Sequence, residues 1–219
     1  MNVEGVVFDL DGVLLQTEEL WDEVREALAR ERGGAYTPEA QRAMMGMSSL
    51  EWSRYMHETV GVTDAPEAIS AEVVRRMSER YRSRLPLVPG AVEAVRRIAA
   101  DWPLALASSS NRPLIELALD VSGLAELFLA VVSSEEVPRG KPAPDVYLEA
   151  ARRLGVPAER CAAVEDSHSG IRSAKAAGMR VVAIPNQVFP PDHAALAEAD
   201  VVLSSLGELT PEAINNPPP

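Results

Sequence analysis

The chain has 219 residues, 47% of them apolar, and a formal net charge of −12. That length fits one domain carrying an insertion, or two small domains, and the apolar share is enough for a core. Such a charge disfavours nucleic acid and anionic membranes as partners, and a phosphorylated metabolite would need local positive charge or a metal to be held.

One cysteine, Cys161, rules out an internal disulfide and suits a reducing compartment, so a cytoplasmic protein is expected. Asp9 and Asp11 interrupt the apolar N-terminal run, so no signal peptide is expected. No stretch is long enough to cross a bilayer.

In chain order, the apolar run from Val3 to Phe8 predicts a buried strand that ends in Asp9-Leu10-Asp11-Gly12. Residues 17–85 then show helical periodicity without a convincing strand: Glu18 to Arg32, Pro38 to Met44, Ser48 to Val60 and Pro66 to Arg84. Breakers at Gly33-Gly34, Gly46, Gly61 and Pro66 divide them.

From Pro86 and Pro89-Gly90 the pattern changes to strand alternating with helix. Strands are expected at Pro103 to Ala107, Leu129 to Val132, Cys161 to Val164, Val181 to Ile184 and Val201 to Leu203. Helices are expected at Pro89 to Ala100, Arg112 to Val121, Pro144 to Leu154 and His168 to Ala177. The alternation predicts an α/β fold, a doubly wound Rossmann-like parallel sheet core made of residues 1–16 and 86–219. Residues 17–85 form an inserted all-helical cap domain placed directly after the Asp-x-Asp strand. His193 is expected in a Pro-rich loop, and the tail from Asn215 to Pro219 is expected to fray.

Four segments carry the chemistry. Asp9 and Asp11 lie at the carboxyl end of the first strand, where ligands of open α/β sheets bind. Two carboxylates held close cannot both ionise freely, so one can attack while the other moves a proton. Ser108-Ser109-Ser110-Asn111 follows the second strand, where small hydroxyl residues leave backbone N–H groups and side-chain donors for phosphate oxygens. Lys141 sits in the stiff Gly140-Lys141-Pro142-Ala143-Pro144 loop, and in a chain whose lysines are Lys141 and Lys175 it stands out as more than surface filler. Glu165-Asp166 follows the strand ending at Val164 and adds hard oxygen donors of the kind magnesium takes. Each segment alone reads blandly: an Asp-Gly turn, an N-cap, a rigid loop, a polar strand end.

Together and in this order they resemble the haloacid dehalogenase-like phosphohydrolases, in the branch with a helical cap after the first strand that includes β-phosphoglucomutase and many small-molecule phosphatases. The resemblance implies a Mg2+-dependent phosphomonoester hydrolase. Asp9 would be the nucleophile that forms a phosphoaspartate, and Asp11 the general acid and base. Ser108 and Lys141 would bind the transferring phosphoryl group. Mg2+ would be held by Asp9, Asp166 and the backbone carbonyl of Asp11, with Glu165 supporting the site. The implied partner is a small phosphorylated metabolite, and the expected assembly is a monomer or weak homodimer.

Departures from the branch narrow the activity. Asp11 argues against dehalogenation, which has no leaving oxygen to protonate. Residues 13–86 hold no lysine for the Schiff base of phosphonate-cleaving relatives. Trp21 replaces the histidine of β-phosphoglucomutase, and Ser49 replaces the arginine after its Gly-x-Ser, so a mutase is the second reading, with Arg54 the nearby cap cation. A non-catalytic binding or regulatory protein on the same fold is the third, and no damaged catalytic position supports it. Gln16 replaces a small polar residue and is read as part of the cap linker.

Substrate choice is assigned to Trp21, Met44, Met45 and Met47 of the cap and to Ser109 and Asn111, with at least half of the cap residues expected to pack between helices. Trp21 in the pocket would favour an aromatic or hydrophobic leaving group. Trp52, Tyr55 and His57 are read as core or surface, and His168 as a capping or solvated residue.

Overall fold

The runs of Val, Ala and Leu that alternate with amphipathic helices assemble as their pattern demands. The computed structural model describes residues 2–45, 47–187 and 190–215. Six parallel strands, β1 (Gly5–Phe8), β2 (Leu104–Ser108), β3 (Phe128–Ser133), β4 (Cys161–Glu165), β5 (Arg180–Ala183) and β6 (Val201–Val202), form one sheet in the order β3-β2-β1-β4-β5-β6. Strands β1, β2 and β4 are buried at every residue, as a sheet covered on both faces requires. The edge strands are not: Leu129 of β3 is 70% exposed and Val202 of β6 is 52% exposed.

The helices α5 (Ala91–Ala99), α6 (Arg112–Ser122), α7 (Asp145–Leu154) and α8 (His168–Ala176) cover the sheet, each within a few residues of the expected span. Two apolar clusters result, one on each face. The larger includes Phe8, Leu104, Leu114 and Val164; the other includes Val7, Ala105, Val146 and Ile171.

Between β1 and α5 the chain forms α1 (Glu18–Glu31), α2 (Pro38–Met44), α3 (Ser49–Tyr55) and α4 (Pro66–Ser83). α3 runs into a π-helical turn over Met56–Val60 that ends at Gly61 with φ +84°. α4 turns one stripe inward, Ile69, Val73, Met77 and Tyr81, all at 0% exposure. Gly46 of the expected Met44-to-Met47 loop lies outside the described residues, as does the tail beyond Asn215.

The two strands of chain that join this insert to the sheet run side by side. Gln16 N–H donates to Pro86 O at 2.7 Å and Val88 N–H to Leu14 O at 2.9 Å. Gln16 is exposed, so its backbone rather than its side chain serves the linker.

One sequence expectation is corrected. His193 opens a short helix, α9 (His193–Glu198), with Asp192 as its N-cap accepting from Ala195 N–H at 2.7 Å. The prolines before it pointed to a loop, whereas they lead into a capped helix start. A last short helix, α10 (Pro211–Asn215), was not expected.

Candidate active site

The sheet order reverses between β1 and β4, the place where open α/β sheets leave a crevice at their carboxyl ends. Asp9 follows β1 and Asp166 follows β4, one on each side of that reversal. Oxygens of Asp9, Glu165 and Asp166 lie within 4.8 Å of one another, and all three residues are buried.

Two glycines make this convergence possible. Gly12 has φ +88°, and a Cβ there would lie 1.9 Å from Asp166 Oδ2. A Cβ on Gly170 would lie 1.7 Å from Glu165 Oε1, so α8 can start against that carboxylate only with glycine at its first turn.

Lys141 is the cation of the cluster. Its Nζ donates to Asp9 Oδ1 and Glu165 Oε1, each at 2.6 Å, and to Ala107 O at 3.1 Å. Burial alone would lower its pKa, but the two facing carboxylates raise it. Burial pushes Asp9 up to about 8 against the opposing pull of Lys141. Asp166 is raised well above the usual carboxylate range, first by burial and then by Glu165 and Asp9. Asp166 Oδ1 is buried with no partner among the described residues. An unpartnered buried oxygen in a crowd of carboxylates is what a divalent cation with hard oxygen ligands would satisfy, so the donor set fits a metal.

Glu165 belongs to the same buried group of carboxylates as Asp9 and Asp166, and both of its oxygens also accept from protein donors. Its Oε1 accepts from Lys141 and from the Tyr147 hydroxyl at 2.8 Å. Its Oε2 accepts from Asp166 N–H, Ser167 N–H and Ser167 Oγ at 3.0, 3.1 and 3.1 Å. Five donors occupy this carboxylate, which orients Lys141 and the turn that carries Asp166. Tyr147, a buried residue of α7, is a member of the site that the sequence did not reveal.

Asp11 faces the helical insert. Its Oδ1 accepts from Thr17 Oγ1 at 2.6 Å and lies 3.4 Å from the Trp21 indole Nε1. Its Oδ2 accepts from Ser110 Oγ at 2.7 Å and lies 3.4 Å from Ser108 Oγ. Thr17 and Ser110 are additions to the sequence-derived set. Each lies within two residues of a singled-out position, but nothing in the sequence said which way it turns.

A cavity of about 530 Å3 opens between these groups and the insert. Asp9, Asp11, Lys141 and Asp166 line its sheet end, with Ser109 and Ser110 beside them. Trp21, Met44, Met45 and Met47 line the insert end. Met44 is nevertheless 1% exposed, so it packs as well as lines, while Met45 is 41% exposed. Trp52, read from sequence as core or surface, also lines the cavity, with its ring centroid 5.9 Å from that of Trp21. Asn186 from the β5 end donates to Glu18 Oε1 of α1 at 2.5 Å across the mouth. His168 is half exposed and pairs with Asp192 at 2.9 Å, so it neither caps α8 nor stands free; Ser167 is the cap.

Asn111, Arg54 and Ser108 do not line the cavity. Asn111 is buried, and its amide donates to Glu135 Oε1 at 2.8 Å and reaches Ser70 Oγ at 3.4 Å, joining sheet to insert. Arg54 is exposed and away from the cavity. Ser108 has 0% exposure; its Oγ accepts Ser110 N–H at 3.0 Å, so it shapes the loop beneath Asp11.

Comparisons with known proteins place the chain in a family. A Drosophila melanogaster protein named "Probable pseudouridine-5'-phosphatase" is 34% identical over 223 residues, spanning 99% of this chain and 95% of its own length. Hexitol phosphatase B of Escherichia coli K12 is 34% identical over 215 residues, spanning 95% of each chain. Among solved structures, CbbY of Rhodobacter sphaeroides in complex with phosphate superposes with a TM-score of 0.82 at 28% identity, over 94% of this chain and 96% of that one. The family model described as haloacid dehalogenase-like hydrolase matches residues 3–178, and with that match over an intact Asp9, Lys141 and Asp166 the chain belongs to the haloacid dehalogenase-like hydrolases.

Proposed function

We propose that the chain is a phosphatase that hydrolyses the phosphomonoester of a small metabolite through a phosphoaspartate on Asp9, with Mg2+ as its metal. The observation that carries this reading is the buried convergence of Asp9, Asp166 and Lys141 at the sheet end of a cavity whose other end belongs to a helical insert. The named relatives are phosphatases of small phosphorylated compounds, which supports the same reaction class.

Asp9 and Asp166 are the side chains offered to Mg2+, with the Asp11 carbonyl beside them. When bound, the ion neutralises charge on the phosphoryl oxygens and on the carboxylates. Lys141, fixed by Glu165 and Tyr147, orients Asp9 and adds positive charge where the phosphoryl group would sit. An Asp9 carboxylate oxygen attacks phosphorus, the ester P–O bond breaks, and the leaving oxygen takes a proton from Asp11. In the second half a water oxygen attacks the same phosphorus and passes a proton to Asp11. Asp9 is released with inorganic phosphate. Thr17, Ser110 and Trp21 hold Asp11 in place for both transfers.

Residues 17–85 act as a cap over the cavity, hinged on the paired linkers at Leu14 to Gln16 and Pro86 to Val88. Closure excludes water while the leaving group departs, and opening exchanges ligands. No helix among the described residues is long and apolar enough to cross a membrane. A buried free Cys161 suits a cytoplasmic enzyme, and we take it to act as a monomer or weak homodimer.

The direct test is release of inorganic phosphate from an aryl phosphate with and without Mg2+. Turnover that needs the ion and disappears in Asp9→Asn supports the reading. Turnover that persists in full in excess chelator removes it.

A further inference from the structure

We infer that Arg25 forms a second anion subsite in the cavity, so that the preferred substrate is a phosphomonoester whose leaving group itself carries an oxyanion, a carboxylate or a second phosphate. This rests on the phosphatase reading above and specifies its substrate class.

Arg25 lies on the inner face of α1, one turn after Trp21, and is 9% exposed. Its guanidinium carbon sits 4.7 Å from the ring centroids of both Trp21 and Trp52. Among the described residues it has no hydrogen-bond acceptor and no carboxylate within 4.0 Å, and its Nε is buried without a partner. Asp11 and Asp22 act on its charge from nearby, but their bonded partners lie elsewhere. Asp22 accepts from the Tyr36 hydroxyl at 2.8 Å, and Asp11 is held by Thr17 and Ser110.

A guanidinium carries five N–H donors, and the faces of two indoles satisfy none of them, since cation–π attraction acts on the charge. Leaving Nε dry and unpaired is expensive, and an unpaired buried cation more so. The expense is visible in the side chain itself, whose pKa burial lowers to about 10, still well within the charged range at neutral pH. A chain of net charge −12 has carboxylates in plenty, yet among the described residues none is within ion-pair distance of this arginine.

What Arg25 faces instead is the cavity. The two indoles fix the plane of the guanidinium, so its fork is pre-organised for bidentate contact with a carboxylate or phosphate. The cavity therefore has a buried cationic anchor at each end, Lys141 at the sheet end and Arg25 at the insert end; Arg42 also lines it, but is exposed and paired with Glu39 at 2.7 Å. This changes what Trp21 implies. One of its faces is taken by Arg25, so it shapes a polar subsite rather than offering an open aromatic platform. A site built around a polar partner rejects analogues that lack it far better than an apolar pocket sorts by size.

The test is a series of ω-carboxyalkyl phosphates, α,ω-alkanediol bisphosphates and matched ω-hydroxyalkyl phosphates of two to six carbons, assayed with Mg2+ on wild type, Arg25→Met and Arg25→Lys. Methionine keeps an unbranched stem between the indoles, and near-ultraviolet circular dichroism checks that packing. Wild type should favour one anionic series over the neutral series by about tenfold or more in kcat/KM at its best chain length. Arg25→Met should reduce that ratio about tenfold or more, chiefly through KM, and Arg25→Lys should restore part of it.

Whichever anionic series leads identifies carboxylate or phosphate as the oxyanion. A wild type that turns over the neutral series equally well, or a folded Arg25→Met with an unchanged ratio, overturns the subsite and leaves the phosphatase reading intact. Absence of turnover on every ester overturns the phosphatase reading instead. The subsite is then decided by tryptophan fluorescence titration with the bisphosphate and hydroxyalkyl phosphate, where equal affinity for the two refutes it.

Discussion

Thr17 Oγ1 donates to Asp11 Oδ1 at 2.6 Å, so the residue that leads into the helical insert is bonded to the carboxylate proposed to move the proton. Thr17 is fully buried, and the bond lies next to the linker pair that ties Gln16 to Pro86. Movement of the insert and orientation of Asp11 are therefore geometrically linked. Replacing Thr17 with valine keeps the shape and removes the donor. Turnover of an alkyl phosphate, whose leaving oxygen needs a proton, should fall about tenfold or more, while an aryl phosphate should lose much less. Equal losses on both esters would show that Thr17 serves packing or binding rather than proton transfer.

Asp9→Asn should abolish phosphoenzyme formation and reduce kcat by a factor of about 10³ or more, because an amide oxygen does not replace the attacking carboxylate. Lys141 would keep Ala107 O and Glu165 as acceptors, so the fold should survive. Rapid-quench trapping with labelled substrate reads the intermediate. Label on the Asp9→Asn protein at the wild-type level would identify another nucleophile.

Glu165 is expected to matter first for stability. It has 0% exposure and accepts from five donors, so Glu165→Ala leaves Lys141, Tyr147 and two backbone N–H groups short of their acceptor. Breaking one partner of a buried ion pair costs about 3–5 kcal/mol. Urea unfolding should show a loss of that order, with Asp9 Oδ1 and Ala107 O remaining as acceptors for Lys141 and keeping the value toward the lower end. A loss below about 1 kcal/mol would mean that water reaches the vacated space and takes over the donors.

Much of this was legible from the chain alone. Buried parallel strands leave continuous apolar runs, and each of the six was found within a few residues, as were the helices that separate them. Gly12 after Asp11 and Gly170 after Asp166 mark places where a Cβ would meet a carboxylate, and both stand in the segments that sequence singled out. What was not legible were pairings between distant segments. Asn111 lies in the right loop, yet Glu135 and Ser70 draw it into the seam between sheet and insert. Arg25 carries no motif. Its meaning comes from two tryptophans that meet it only in three dimensions and from the lack of a bonded acceptor for it among the described residues. The short α9 was missed because prolines before a capped start look like prolines in a loop.

The metal-free protein should lose stability as pH rises through the neutral range. Asp9 has a folded-state pKa of about 8, above its unfolded value of about 4, and Asp166 is raised in the same direction. A carboxyl whose pKa is raised by folding binds more protons in the folded state between those two values. Stability is therefore highest below the unfolded pKa of such a group and declines toward the folded one, by up to about 1.4 kcal/mol per pH unit per proton. Thermal melts in chelator from pH 5.5 to 8 should show a falling midpoint, about 2–4 °C for each kcal/mol. Saturating Mg2+ should flatten or reverse the slope, because the ion replaces the protons and is favoured by their loss. A midpoint in chelator that is flat or rises over this range would mean the two carboxyls are ionised without a metal.

Gly12→Ala separates assembly of the metal site from the rest of the fold. At φ +88° an alanine is strained by roughly 1–2 kcal/mol. The added Cβ would also fall 1.9 Å from Asp166 Oδ2, which must then move. Asp166 has little freedom to yield, since its own N–H is held by Glu165 and it is 3% exposed. The carboxylate would rotate out of the group it forms with Asp9. The variant should remain folded, with a modestly lower melting midpoint, and the rise in that midpoint on adding Mg2+ should shrink to a small fraction of the wild-type value. Phosphatase activity should fall with it. Asp166→Asn should give the same loss of Mg2+ response without the backbone strain, which assigns the effect to the displaced ligand. A Gly12→Ala protein that keeps the full Mg2+ response while losing only stability would show that Asp166 is not a ligand, and that Gly12 is required for the turn alone.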